Sequence, residues 1–517
     1  MVFRQLLVAF VSCTTVIPTG MTIGFSGVAI PQLMNGPDQL SQDEASWFAS
    51  LNSIATIFGC LAISPLLEMF GRKWGLLLVN IPCVFGWILH FLTPTPAPVY
   101  ILYIARLLNG FAGGMGCVSA LMYIGETSTA KLRSVLLTWP AAAISIGILF
   151  VYFLGWLIQD SWRTVAAIST IFPVLSIALL LIFIKESPSW LLKKGRQSDA
   201  EASFRWLRNI KCDEELPESL REEFDSIVSF VNKNFSSENL TIERNTEVSE
   251  IVVSKRASKG TNESRANRFD SKIKFLLSLT TPDIMKPLVI INVYFLFLSF
   301  SGVFAVIYYA VDIMNSAGIS MDPYLAALIL GAVKVVTGCV FNLAHHRFGR
   351  RTMSMICGIM MTLTMVGIGL YLRIIRAYQY DETQSPDLSW IPLILILIYI
   401  GVSAFGFNTL PWAMIGELFP VRIKDFAGGF STCLAYVFIF VAVKLFPATS
   451  DAFTGGDPEN SSEGVFFLFG FICFIASIFI FFFLPETFKK SLEEISDEFS
   501  RPGVCQFKFC SKDTSEK

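Results

Sequence analysis

Apolar residues fall along the chain in runs of about twenty bounded by short polar stretches, the length an α-helix needs to cross the hydrocarbon core of a bilayer. Twelve runs can be traced, at 5–31, 47–67, 74–93, 99–124, 135–158 and 163–185, and, after a polar centre, at 286–315, 322–345, 351–373, 390–416, 425–447 and 464–484. The centre, from Glu186 to Met285, carries too much charge and too many Ser and Asn residues to enter lipid. Within it, "SDAEASFRWLRNI" spaces Ala200, Phe204, Leu207 and Ile210 three to four apart, which predicts an amphipathic helix, while "RNTEVSEIVVSKRASKGTNESRANR" has the composition of a disordered insert. The pattern predicts an all-α polytopic membrane protein: a six-helix half over 1–185, a linker of short amphipathic helices and a disordered insert over 186–285, a second six-helix half over 286–484, and a tail over 485–517. The first run is too long for a signal-peptide core and is read as a retained span.

Composition supports this reading and removes others. With 53% hydrophobic, 14% aromatic and 16% charged residues, the chain does not read as a soluble multidomain protein. A net charge of −1, with Lys and Arg confined to loops, gives no basic face for nucleic acid. The eleven cysteines show no CxxC or Cys/His spacing, so neither a metal nor a cofactor is expected. No GxSxG, Walker-type loop or HExxH is present, which argues against an enzyme. Arg72, Lys73, Lys131, Arg133, Arg347, Arg350, Arg351, Arg422 and Lys424 fall in alternate short loops, so both termini and the linker are expected on the cytoplasmic side, with the plasma membrane the expected location. Asn460, in "NSS" on an outer loop, is the expected glycosylation acceptor, while Asn234, Asn239 and Asn262 face the cytoplasm. The expected partners are the lipid bilayer and a small-molecule substrate.

One residue conflicts with the apolar pattern. Lys334 sits in "LILGAVKVVTGCV", about eleven residues from Asp322 and from His345, or ~16 Å at the helical rise and too far to snorkel comfortably. Ala327, Gly331, Lys334, Thr337 and Phe341 form a small or polar stripe, opposite the apolar face of Leu325, Ile329, Val333, Val336, Val340 and Leu343. Lys334 is therefore expected to point inward near the midplane. Glu68, Glu126, Asp312 and Glu417 all lie at or near helix ends, so the lysine is expected to be uncharged, hydrated, or held for an anionic ligand. It could equally fill the cavity by bonding to carbonyls, Thr337 or Asn408.

"LLEMFGRKWG" between the second and third runs is echoed by "LAHHRFGRRTM" between the eighth and ninth, an internal repeat of the kind transporters carry. With "GFSGVAIPQL", "RLLNGFAGG", "YIGETSTAKLR", "ESPSWLLKKGR", "SGVFAVIYYA", "LPWAMIGELFP" and "PETFKKSLEEI" in order, nearly the whole chain resembles the sugar porter family of the major facilitator superfamily, near facilitative glucose and arthropod facilitated trehalose transporters. The resemblance implies a major facilitator fold with intracellular helices and alternating-access uniport of a hexose or trehalose. The alternatives are a carrier of a non-sugar, possibly anionic, solute and a non-transporting receptor-like relative.

The resemblance also implies roles for individual residues. Arg72, Glu126, Arg133, Arg350, Glu417, Lys424 and Glu486 correspond to a charged latch at the cytoplasmic helix ends, although Met69 and Ser189 replace family arginines. Tyr308 and Tyr309 match an outer gate, or else an aromatic belt, and Gly406, Asn408, Thr409 and Pro411 supply a hinge in the tenth helix. At the family's sugar-binding positions stand Ala141, Leu298, Ser299, Phe304, Lys334, Ala404, Thr432 and Cys433, and only Trp412 is unchanged. Each lost neutral hydrogen bond removes ~0.5–1.5 kcal/mol, so ordinary sugar affinity is expected to be weak. Ser26 stands where proton-coupled members carry an aspartate, which implies facilitated diffusion.

Overall fold

The computed structural model describes residues 2–210, 217–229, 231, 282–344, 349–380, 390–419, 424–454, 463–486 and 499. Every regular element among them is helical. Eleven helices are long and apolar enough to span a membrane: Phe3–Asn35, Gln42–Phe70, Arg72–Leu92, Val99–Thr127, Trp139–Leu157, Trp162–Phe183, Pro323–Phe341, Arg350–Ile375, Trp390–Ile415, Phe426–Phe453 and Glu463–Phe483. We number them by the twelve predicted runs, the seventh being the shorter apolar helix Ile284–Phe300 and its continuation. Phe58, Leu61, Phe85, Ile182, Val336, Leu363 and Phe471 point outward and are more than half exposed, tolerable only where lipid covers them.

Four helices depart from unbroken runs; the sixth is split at Thr170 into Trp162–Ser169 and Ile171–Phe183, and the other three break each for a local reason. The first is two helices, Val2–Thr14 and Ile17–Asn35, because Pro18 has no N–H to give the Thr14 carbonyl; the Val16 N–H turns back to the Cys13 oxygen at 3.0 Å. The seventh, expected as one helix over 286–315, comes in three pieces, Pro282–Phe300, Val303–Tyr308 and Ala310–Ser316. Its first break is at Gly302, at φ +99°, where any side chain would both strain the backbone and strike the Phe469 ring, 2.5 Å from the Cβ position, and its second is at Tyr309. The tenth passes through a π-helical turn at Ser403–Phe407, with the Asn408 N–H on the Ser403 oxygen at 2.8 Å. Pro411 leaves the Phe407 carbonyl without its helical donor, and the Tyr294 hydroxyl donates to it at 3.1 Å.

The linker helices Pro188–Lys193 and Gln197–Arg208 follow the sixth span. Ala200, Phe204 and Leu207 are buried as their spacing predicts, and Phe204 meets Phe224 of a further helix at 5.2 Å. The insert assigned to disorder lies outside the described residues.

Helices pack most closely where glycine lets backbones touch. The second and fourth meet at Gly59, Gly110 and Gly114, and the first and fifth at Gly20 and Gly147, with Cβ positions 1.9–2.3 Å from a facing carbonyl oxygen. The first six and last six helices meet along three seams: second against eleventh, fifth against eighth, and first against the outer pieces of the seventh. One end of the bundle carries Asp38, Asp43, Asp160, Asp322 and Asp451, the other Arg72, Lys73, Arg350 and Arg351; we call these the acidic and basic ends.

Candidate functional site

At the acidic end, hydrogen bonds tie the two sets of helices together. The Lys444 ammonium reaches Asp43 Oδ1 at 2.5 Å and Ser46 Oγ at 2.7 Å while lying 4.4 Å from the Trp47 ring centroid. Gln42 donates to Asp451 at 3.0 Å and Gln159 to Asp322 at 2.7 Å. Deeper in, Tyr308 takes up Asn52 Nδ2 at 3.3 Å and Ser53 Oγ at 3.2 Å, and the Tyr152 hydroxyl donates to the Ile307 oxygen at 2.6 Å. Tyr309 donates to the Val443 oxygen at 3.2 Å. Tyr308 and Tyr309 are 2% and 4% exposed, which takes them out of any lipid-facing belt. Between described residues, no hydrogen bond joins the two sets toward the basic end.

Asp43 is largely exposed, so its pair with Lys444 is worth only ~0–1 kcal/mol. Lys444→Ala is expected to enlarge the population open at the acidic end by up to about fivefold. Spin labels on the exposed Asn35 and Ala452 should show a longer-distance component growing in; an unchanged distribution would remove the clasp role.

The interior candidates are spread over several helices. On the eighth, Ala327, Gly331, Lys334 and Phe341 are buried, and Val336 and Val340 face outward, as the periodicity predicts. Gly331 seats this face on the fifth helix, its Cβ position 3.1 Å from the Leu149 Cα and the Tyr152 ring. Lys334, one turn along, is 5% exposed, and its ammonium has no hydrogen bond or ion pair among the described residues. Thr337 bonds only to backbone oxygens and lines, with Val333, Gly401 and Phe405, an apolar crease of about 420 Å³ between the eighth and tenth helices. That crease has almost no polar surface and lies on the Val336 side, so it suits a lipid chain and not a polar solute.

Trp412 is half-buried between Phe295 and Tyr436, its ring centroid 4.7 and 5.7 Å from theirs. Ser299 Oγ and Asn408 Oδ1 are buried without partners, whereas Phe304 and Thr432 are half-buried. Ala141 shares the face of Ser145, Ile148 and Tyr152 on the fifth helix; it is exposed while Ile148 and Tyr152 are buried, so this face opens toward the basic end.

Sequence reasoning missed Arg106. It is fully buried in the fourth helix, donates to the Thr22 oxygen at 2.7 Å and to Ser26 Oγ, and lies 4.0 Å over the Phe48 ring. No ion pair offsets its charge among the described residues. The signal was the one used for Lys334, a cation inside an apolar run. Tyr436, Asn52 and Lys444 were also missed, and of these only Lys444, a cation toward the acidic end of an apolar run, stood out.

At the basic end the repeat appears as two matching caps. Glu186 accepts the N–H groups of Arg72 at 2.7 Å and Lys73 at 3.2 Å, and Glu486 those of Arg350 at 2.8 Å and Arg351 at 3.2 Å, each carboxylate closing a helix N-terminus. A Cβ on Gly71 or Gly349 would lie 2.3 or 2.5 Å from that carboxylate, which explains why both turns read FGR. Burial raises the Glu186 carboxyl above its usual range, against the pull of those N–H groups and the Arg72 charge. Arg72 itself is 2% exposed and grips Glu126 through Nε at 3.0 Å and a terminal nitrogen at 2.8 Å, with Ser187 also on Glu126. Arg133 is exposed and bonds to the Ser128 oxygen, outside this group. The side chains of Glu417 and Lys424, and all of Asn460, lie outside the described residues.

Known proteins share this architecture and sequence. Facilitated trehalose transporter Tret1 of Bombyx mori is 28% identical over 493 residues, covering 95% of this chain and 86% of the relative. The Tret1 of Apis mellifera ligustica is 27% identical over 501 residues, covering 96% and 88%. Among solved structures, the inward open conformation of the xylose transporter XylE from E. coli superposes with a TM-score of 0.70 at 19% identity, covering 95% of this chain and 99% of that one, and shows the fold to be that of the major facilitators. The sequence profile described as "Sugar (and other) transporter" matches residues 8–499. This chain is a membrane transporter of the sugar transporter family.

Proposed function

We propose that the chain carries a small, sugar-like polar solute by alternating access without proton coupling, through a path between its first and last six helices. The observation that carries this reading is the one-sided seam: the acidic end is clasped by Lys444–Asp43, Gln42–Asp451 and Tyr308–Asn52, while the face of Ala141 opens toward the basic end. The bias of Lys and Arg supports a cytoplasmic basic end, with both termini there and the plasma membrane as location. The absence of coupling is supported by Arg106, whose partners on the first helix are the Thr22 carbonyl and the Ser26 hydroxyl and not a carboxylate. The curated relatives named as facilitated trehalose transporters support a sugar-like cargo, and Trp412 offers an aromatic face for its ring.

Counterflow of radiolabelled trehalose and glucose in proteoliposomes tests this. Trp412→Ala is expected to lower the initial rate about tenfold, the equivalent of ~1.4 kcal/mol of lost contact, with wild-type rates indifferent to an imposed pH gradient. Rates that follow the proton gradient would overturn the uncoupled reading.

A further inference from the structure

We propose that the solute is anionic, a small polyhydroxylated carboxylate of the sugar-acid class, and that Lys334 takes its charge; this rests on the transport reading above and names the substrate of that same path. Lys334 is 5% exposed, halfway along the eighth helix, on the face seated against the fifth helix and therefore at the seam between the two sets. Its ammonium has no partner among the described residues. An ammonium at that depth without a counter-charge is disfavoured, so a buried site that keeps one is suited to an anionic ligand.

Among the described residues, no carboxylate pairs with Lys334. Glu68 is two residues from the end of its helix, Glu126 is held by Arg72 and Ser187, and Asp312 is in the short outer piece Ala310–Ser316 of the seventh helix. Arg106 adds a second fully buried cation whose described partners, Thr22 and Ser26, are both uncharged. Neither of these two interior cations has an ion-pair partner among the described residues, and a low-dielectric surrounding screens their positive potential poorly.

Two of the buried unpartnered atoms, in the seventh and tenth helices, suit hydroxyl groups. Ser299 Oγ can donate and accept, and Asn408 Oδ1 accepts; both are buried and unused. With the Trp412 and Tyr436 rings nearby on the tenth and eleventh helices, the set suits a ring or chain bearing several hydroxyls and one carboxylate.

The probes are radiolabelled D-gluconate and D-glucuronate, against D-glucose and trehalose, in liposomes containing the full chain. Wild type is expected to take up a sugar acid saturably, faster into an inside-positive than an inside-negative interior. Lys334→Gln should reduce that flux at least tenfold, and Lys334→Arg, which keeps the charge, should retain a larger share. Both variants are first checked for a single size-exclusion peak, and Lys334→Arg separates loss of charge from loss of fold. Flux of glucose or trehalose that is unchanged in Lys334→Gln, with no uptake of and no competition by either acid, overturns the anionic substrate and leaves the transport reading standing. Folded protein that neither moves nor binds any of the four probes overturns both.

Discussion

Leucine at position 114 is expected to leave almost no folded protein. Gly114 presses on the second helix where a Cβ would stand 2.1 Å from the Thr56 oxygen and 2.8 Å from the Cys60 nitrogen, and both are backbone atoms that cannot swing aside. Gly110 repeats the contact one turn earlier, 2.3 Å from the Asn52 oxygen, and Gly59 answers from the second helix, 2.1 Å from the Phe111 oxygen. Overpacking a yielding core costs about 1–3 kcal/mol, and here the two helices themselves must part. Parting them also displaces Asn52 and Ser53 from Tyr308, so the damage reaches the acidic-end closure. Detergent-solubilised Gly114→Leu should lose its symmetrical size-exclusion peak, whereas Gly338→Leu, with open space where its Cβ would lie, should keep it. A wild-type peak and melting temperature for Gly114→Leu would refute the close-packing account.

Removing the Glu126 carboxylate is expected to destabilise the protein by ~3–5 kcal/mol, because the buried guanidinium of Arg72 would keep only the Leu67 oxygen, at 2.9 Å. Exposed charge pairs at helix ends, the usual form of such a latch, are worth only ~0–1 kcal/mol each. The structure places Arg72 at 3% and Glu126 at 19% side-chain exposure, a different energetic class. Glu126→Ala should therefore melt several degrees lower, and Arg72→Met/Glu126→Ala should recover part of the loss by removing the stranded charge. Equal melting of Glu126→Ala and wild type would show that water reaches the guanidinium. The pair joins the third and fourth helices, within the first set, so this bond need not break when the two sets move apart.

The sequence was most informative where a regularity runs along one helix. The stripe through Ala327, Gly331 and Lys334 told which way the lysine faces, since helical phase alone decides it. The amphipathic spacing of Ala200, Phe204 and Leu207 did the same for the linker helix. What it could not give was pairing across the bundle. Tyr308 finds Asn52 across 256 positions and Lys444 finds Asp43 across 401, and no local pattern encodes either. The break at Gly302 was obscured for a related reason: mean apolarity continues through it, and only the collision at Phe469 reveals the change of course, whereas in the tenth helix, which turns π-helical at Ser403–Phe407, Gly406 and Pro411 marked an irregularity in the sequence itself. The sugar-binding positions could be located by resemblance, but their altered residues needed the structure to show which polar atoms, Ser299 Oγ and Asn408 Oδ1 among them, are left unused.

The uncoupled transport proposed from the hydroxyl of Ser26 facing Arg106 would have a consequence for the cell as a whole. A carrier with no coupling ion can only relax its cargo toward electrochemical equilibrium. For a neutral sugar that means equal concentrations on both sides, with direction set by whichever side consumes it. For a monoanion the membrane voltage enters: at about 60 mV, negative inside, one charge is worth ~1.4 kcal/mol, which holds the cargo about tenfold lower inside than out. With Lys334 charged and its cargo a sugar acid, a carrier of this fold would work as an exporter driven by voltage alone.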